Sequence, residues 1–458
     1  MIRARRRSLA ARLSGAIGAA LGFAFVLPAA VAAHALNPTY ESRLPLAVYV
    51  VGAASAVALS FVFVIVRDVR AEPPDLTADG SLPPAWLRVA LRVIGLVAWA
   101  WIIAQGLAGG SSDADVSTLF LWVYGWVGVA IISAVVGPVW QFLDPFSTLH
   151  DLGAALMRAL RIQGWAVADY PERLGRWPAV IGFAFFIWLE LVVLAGPSTL
   201  FIVVVGYTAL TLAMMAQFGR DEWRASGETF TVWFRTLGRL AHWRLVDEDG
   251  RLTSRSFGSG LLEPGWTRAD VTLVALGVSS IIFDGLSQTQ AFFDVFGAPG
   301  IAIKTLVLFA WLGFVVLLAF GVATTVGLGA IGAGLLPIAL GYLIAHYLTS
   351  LLIDGQRIAI AISDPFQKGW DLFGTAFFTP TGAWLPPGLV WTAQLAAVVG
   401  GHMLGAWGGH VVAATDAPAG ISVGALRRRQ IPLAVVMVGL TTLTLWSLGQ
   451  AIVVTPPS

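Results

Sequence analysis

Ten stretches of about twenty apolar residues recur along this chain, each the length at which a helix crosses a bilayer. They fall at about 45–66, 89–109, 117–138, 178–196, 199–217, 270–288, 303–325, 329–353, 388–413 and 431–453. A water-soluble core cannot absorb them. Only 12% of the 458 residues are charged while 57% are hydrophobic, against roughly 25% charged in an ordinary soluble domain. The expected fold is an all-α polytopic membrane bundle with the lipid bilayer as its first partner. With 28 Lys and Arg against 26 Asp and Glu, the formal charge of +2 gives no sign of a nucleic-acid partner. The chain has no Cys, which excludes disulfides, iron–sulfur clusters and thiolate metal sites.

Ahead of the first span, residues 1–36 have a basic start, an apolar run and then small residues, the pattern of a signal peptide or leader helix. Cleavage after Ala33 would leave His34 at the new N-terminus, where amine and imidazole together chelate a metal ion. Tracing the spans from an outward-facing His34 puts 67–88, 139–177, 218–269, 326–328 and 414–430 on the cytoplasmic side. These loops hold nearly all the loop arginines, whereas the outer loops that join spans, 110–116, 197–198, 289–302 and 354–387, hold only Arg357 and Lys368, as the positive-inside rule requires of a bacterial inner-membrane protein. The chain divides into a leader (1–33), a first membrane half (34–217), a connecting segment (218–269) and a second half (270–458). The connecting segment reads as a solvated linker, with a small helix and hairpin as the alternative. Within the second half, 354–387 carries Trp370, Phe373, Phe377, Phe378 and Trp384 and reads as an extracytoplasmic cap. The junction Thr324–Gly334 leaves almost no loop.

One motif occurs twice. Asp144-Pro-Phe and Asp364-Pro-Phe each begin D-P-F-x4-D-L, the second copy ending in Asp371, and the copies stand five spans apart. An odd offset inverts orientation, so the match suggests an inverted five-plus-five repeat of the kind found in secondary transporters. A simpler reading makes Asp144, Asp364 and Asp371 structural caps, with Asp accepting from backbone N–H groups beside a helix-starting Pro.

Polar residues inside apolar spans are costly and mark function. The eighth span ends GYLIAHYLTSLLIDGQ, which places His346, Ser350 and Asp354 at successive four-residue steps on one face, with Gln356 beyond. The sixth ends SSIIFDGLSQTQ around Asp284, the ninth carries His402 and His410, and the fourth carries Glu190. A pocket of His34, His346 and His402, with Asp284 and Asp354 as catalytic carboxylates, would suit one divalent transition metal, Zn or Cu. The bland alternative is that each His bonds one helix to another. Such a metal would supply hydroxide at neutral pH, and Ser350, Gln356 and Trp370 would line a mouth suited to a small hydrophobic ester. No G-x-S-x-G or phosphate-loop motif stands in a suitable context.

The strings AHAL, YPERLGRWPA, WLEL, FDGLS, GYLIAHYLTSLLIDGQ, DPFQKGWDLFGTA and GHMLGAWGGH resemble multi-pass bacterial membrane proteins named as fenitrothion hydrolases. The resemblance runs through most of the chain after the leader. It implies a membrane-bound hydrolase of organophosphorus aryl triesters, acting with a second membrane subunit, and carries no assigned catalytic set. A looser likeness, in scattered His alone, is to copper-resistance membrane proteins. The competing expectations are a transporter or copper-handling permease built on the repeat, and an accessory membrane subunit.

Overall fold

The computed structural model describes residues 46–67, 71–77, 79–109, 115–161, 168–418 and 420–448. The leader and His34 lie outside the described residues. All ten expected spans are helical. They are α1 (Leu46–Arg67), α2 (Ala85–Ala108), α3 (Val116–Val135), α5 (Trp177–Val193), α6 (Pro197–Phe218), α9 (Arg268–Ser287), α10 (Ile301–Val326), α11 (Leu328–Ile353), α12 (Pro387–Thr415) and α13 (Ile431–Leu448). Three shorter helices complete the numbering: α4 (Pro145–Ala159), α7 (Arg220–Ser226) and α8 (Thr229–Leu237). Among the described residues nine helices are long and apolar enough to cross a membrane, and α5 is a shorter apolar tenth. The only sheet among them is a hairpin of β1 (Trp243–Leu245) and β2 (Leu252–Ser254). The protein is an all-α, multi-pass membrane bundle.

Local sequence sets the helix starts. Thr267 and Asp270 form a reciprocal capping box for α9. Pro197 and Pro387 stand in the first turns of α6 and α12, where a missing N–H costs nothing. Packing divides the chain into two compact units. One holds α1, Pro264–His346 and the chain from Leu385 onward; the other holds Pro73–Glu263 and Tyr347–Trp384.

In the first unit α9 is buried from Ala269 to Phe283 and α11 from Ala330 to Leu343, as expected of helices apolar all round. By contrast α10 leaves Leu306 and Leu317 more than two-thirds exposed, a face suited to lipid rather than water. A glycine seam joins α11 to α12. An added Cβ would lie 2.3 Å from the Gly334 carbonyl at Gly405, 2.6 Å from the Pro337 carbonyl at Gly401 and 2.5 Å from the Ala397 carbonyl at Gly341. Backbone therefore meets backbone, the contact that small residues at four-residue spacing allow. The expected loop 326–328 shrinks to one residue: Gly327, at φ +94°, ends α10 and is followed at once by α11. A side chain there would be strained.

The second unit corrects the linker expectation for 218–269. This segment folds into α7, α8 and the hairpin, because one face of α8 is apolar and Val232, Trp233, Phe234 and Leu237 are buried. Trp233 lies 6.2 Å from Trp126 of α3 and 4.7 Å from Phe183 of α5, centroid to centroid. The segment is thereby locked to two of the spans. In the expected cap, a short helix Ile358–Ser363 is followed by a loop that leaves Trp370, Phe373, Phe377 and Trp384 exposed.

Candidate functional site

The polar residues near the end of α9 come together with α11 in the first unit. His346 Nε2 lies 2.7 Å from Asp284 Oδ2, and Gln288 Nε2 donates to Asp284 Oδ1 at 2.7 Å. A carboxylate only accepts, so His346 Nε2 is the donor to Asp284. Their side chains are 18% and 17% exposed, which leaves an edge of the pair reachable. Beside the pair, Gly285 lets Ser447 come close: a Cβ at Gly285 would lie 3.0 Å from Ser447 Oγ. Lys304 of α10 is near enough to act on Asp284 electrostatically. Lys304 and Ser447 escaped the sequence reading, although a lysine inside an apolar run is a visible signal.

His402 is fully buried against Tyr342, which precedes His346 by one turn of α11. Its Nδ1 donates to the Val398 carbonyl at 2.7 Å, and its Nε2 faces the Tyr342 hydroxyl at 3.2 Å. Both ring nitrogens are thus engaged in joining α12 to itself and to α11. His410 meets Gln430 Oε1 at 2.7 Å. No group of three or more His, Asp or Glu suited to a metal ion occurs among the described residues. With His402 occupied and His34 outside them, the expected donor set does not assemble there.

The other expected residues belong to the second unit. Ser350 donates to Asp354 at 2.7 Å, and Arg357 lies 3.5 Å from the same carboxylate. Gln356 is pinned to the cap loop, donating to the Thr381 carbonyl at 3.0 Å and accepting from the Thr381 N–H at 3.2 Å. Trp370 is half exposed and packs edge-on against Phe366. Of the D-P-F aspartates, Asp144 caps α4, accepting from the N–H groups of Phe146 and Ser147. Asp364 heads no helix; it accepts from Lys368 and Gly369 and closes a turn. Asp371 accepts from Ala376 N–H and the Ser363 hydroxyl. Glu190 accepts from the Tyr347 hydroxyl at 3.2 Å, on a π-wound turn of α5.

A charged network that the sequence did not disclose lies under α7 and α8. Glu228 caps α8 and accepts from Tyr207 and Thr231 while wholly buried. Burial pushes its carboxyl above the usual range, and the charge of Asp144 adds to the rise. Arg235 reaches Glu248 through two nitrogens, at 2.7 and 2.5 Å.

These features define an integral membrane protein with an Asp–His pair between apolar helices. Beyond that class the comparisons add nothing: no protein-family model, curated protein or solved structure matches the chain.

Proposed function

We propose that the protein is an integral membrane hydrolase of aryl phosphotriesters in which Asp284 and His346 act as a base pair. The observation that carries this reading is the 2.7 Å contact between them. Asp284 holds the imidazole in one tautomer and stabilises the cation it becomes on taking a proton, as the carboxylate does in a Ser-His-Asp triad. His346 then takes a proton from water as the water attacks phosphorus, and the aryloxide departs. The surrounding apolar helices favour a greasy ester over a sugar phosphate. The sequence resemblance supports the substrate class, and the charge asymmetry of the loops supports a bacterial inner membrane with this pair toward the extracytoplasmic side.

The test is release of nitrophenolate from a nitrophenyl phosphotriester by purified protein in proteoliposomes. Wild type should turn over, and Asp284→Asn should lose roughly 10²–10⁴-fold while inserting and melting normally. Equal rates in both, or none in either, would overturn the reading. A second reading rests on Lys304 joining the pair electrostatically, since charged residues among spans also form proton relays. It predicts proton flux in the same vesicles, abolished by Asp284→Asn, without ester cleavage.

A further inference from the structure

A second site lies in the other unit, where α8, the β-hairpin and the segment leading to Glu263 surround a cavity of about 270 Å³. Its wall includes five arginines, Arg176, Arg235, Arg239, Arg244 and Arg255. Three carboxylates face them. Glu263 serves Arg255 and, at 3.6 Å, Arg244; Glu248 is taken by Arg235; Asp247 pairs at 3.6 Å with Arg251, which is not part of the wall. Positive charge therefore exceeds negative in a concave, partly buried space, where it is screened less than at an open surface.

The arginines are fixed from behind. Arg255 donates through Nε to the Ala241 carbonyl at 3.0 Å, and Arg239 through Nη1 to the Glu263 carbonyl at 2.9 Å. Burial lowers the readiness of Arg255 to hold its charge, so a nearby anion is favoured there. Arg244 adds a donor in need of an acceptor: its Nη1 is buried and has no hydrogen-bond partner among the described residues. A buried donor left unmade is expensive.

We propose that this cavity binds a phosphate group. A guanidinium fork binds two oxygens at once, and a phosphate, unlike a carboxylate with its two, offers oxygens in several directions for several arginines to share. The volume equals that of about nine waters at roughly 30 Å³ each, enough for a phosphate with its ester substituents. Pro138, just past the end of α3, and Arg176, just before α5, are both in the wall. The site thus stands at the ends of two apolar helices, at the level where lipid headgroups lie, on the side that the loop arginines mark as cytoplasmic. Its ligand is the phosphate of an anionic lipid or a free phosphate, and the two are separable.

The experiment titrates detergent-purified full-length protein at fixed ionic strength with inorganic phosphate, with dioctanoyl phosphatidylglycerol and with dioctanoyl phosphatidylcholine. Wild type should bind phosphate or phosphatidylglycerol saturably and ignore phosphatidylcholine, and Arg244→Gln should weaken that binding at least tenfold. A response to inorganic phosphate identifies a free anion as ligand; a response to phosphatidylglycerol alone identifies the lipid. Should Arg244→Gln fail to fold, Arg176→Gln is held to the same tenfold criterion. Binding that is equal in variant and wild type, or absent with every probe, overturns the proposal.

Discussion

Asp144 Oδ2 lies 3.2 Å from Arg224 Nε, and the two side chains are 0% and 3% exposed. A buried pair of this kind is costly to break on one side because the remaining charge stays stranded. Arg224→Met should cost about 3–5 kcal/mol, and Asp144→Asn, which keeps an oxygen for the α4 cap, should also destabilise through the stranded arginine. Combining the two should recover much of the loss. A double-mutant cycle of unfolding midpoints in detergent checks this, and strict additivity would show that the pair is not coupled.

The glycine seam predicts opposite signs for two neighbouring substitutions. Gly405→Ala puts a methyl 2.3 Å from the Gly334 carbonyl, whereas a Cβ at Gly400 meets nothing within 4 Å. The first should destabilise by about 1–3 kcal/mol through overpacking. The second should be neutral or gain up to about 1 kcal/mol from helix propensity. Thermal midpoints of the two variants, side by side, decide the matter.

Acid should open the cap loop at a defined place. The Ala376 N–H and the Ser363 hydroxyl favour the charged form of Asp371 and hold its carboxyl below the ordinary value of 3.8. A folded-state value below the unfolded one gives stabilisation that is complete above the unfolded value and is lost as pH falls through the folded one. Hydrogen exchange at the Ala376 amide should therefore lose protection below about pH 3.8. In Asp371→Asn, whose Oδ1 still accepts but does not titrate, that pH dependence should vanish.

Leu194, the residue after α5, is in the left-handed region at φ +49° and is 70% exposed. The conformation costs an L-residue roughly 1–2 kcal/mol, and little packing is lost on truncation. Leu194→Gly should raise stability by about 0.5–1 kcal/mol. A lower unfolding midpoint would show that the exposed leucine has a partner worth more than the strain.

The spans were readable because a twenty-residue apolar run has few other destinations, and all ten became helices. The pairing of His346 with Asp284 was half readable: polarity within the spans flagged both residues, but which helices neighbour one another is a property of packing that no spacing within one helix reports. His402 shows the converse. Its position suggested a ligand, yet the Val398 carbonyl one turn back and the Tyr342 hydroxyl satisfy it. Arg224 and Glu228 stayed hidden because charged residues in a polar stretch look like solvated surface, and only the burial of α8 against Trp126 and Phe183 reveals them as interior.

The contact of α11 with α12 has an evolutionary consequence. Where side chains meet, a change on one helix can be answered by a compensating change on the other. At Gly341, Gly401 and Gly405 the nearest facing group is a main-chain carbonyl, which no codon can resize. This seam has no second partner to mutate, so descendants of this chain should keep glycine there while the lipid-facing leucines of α10 are exchanged freely.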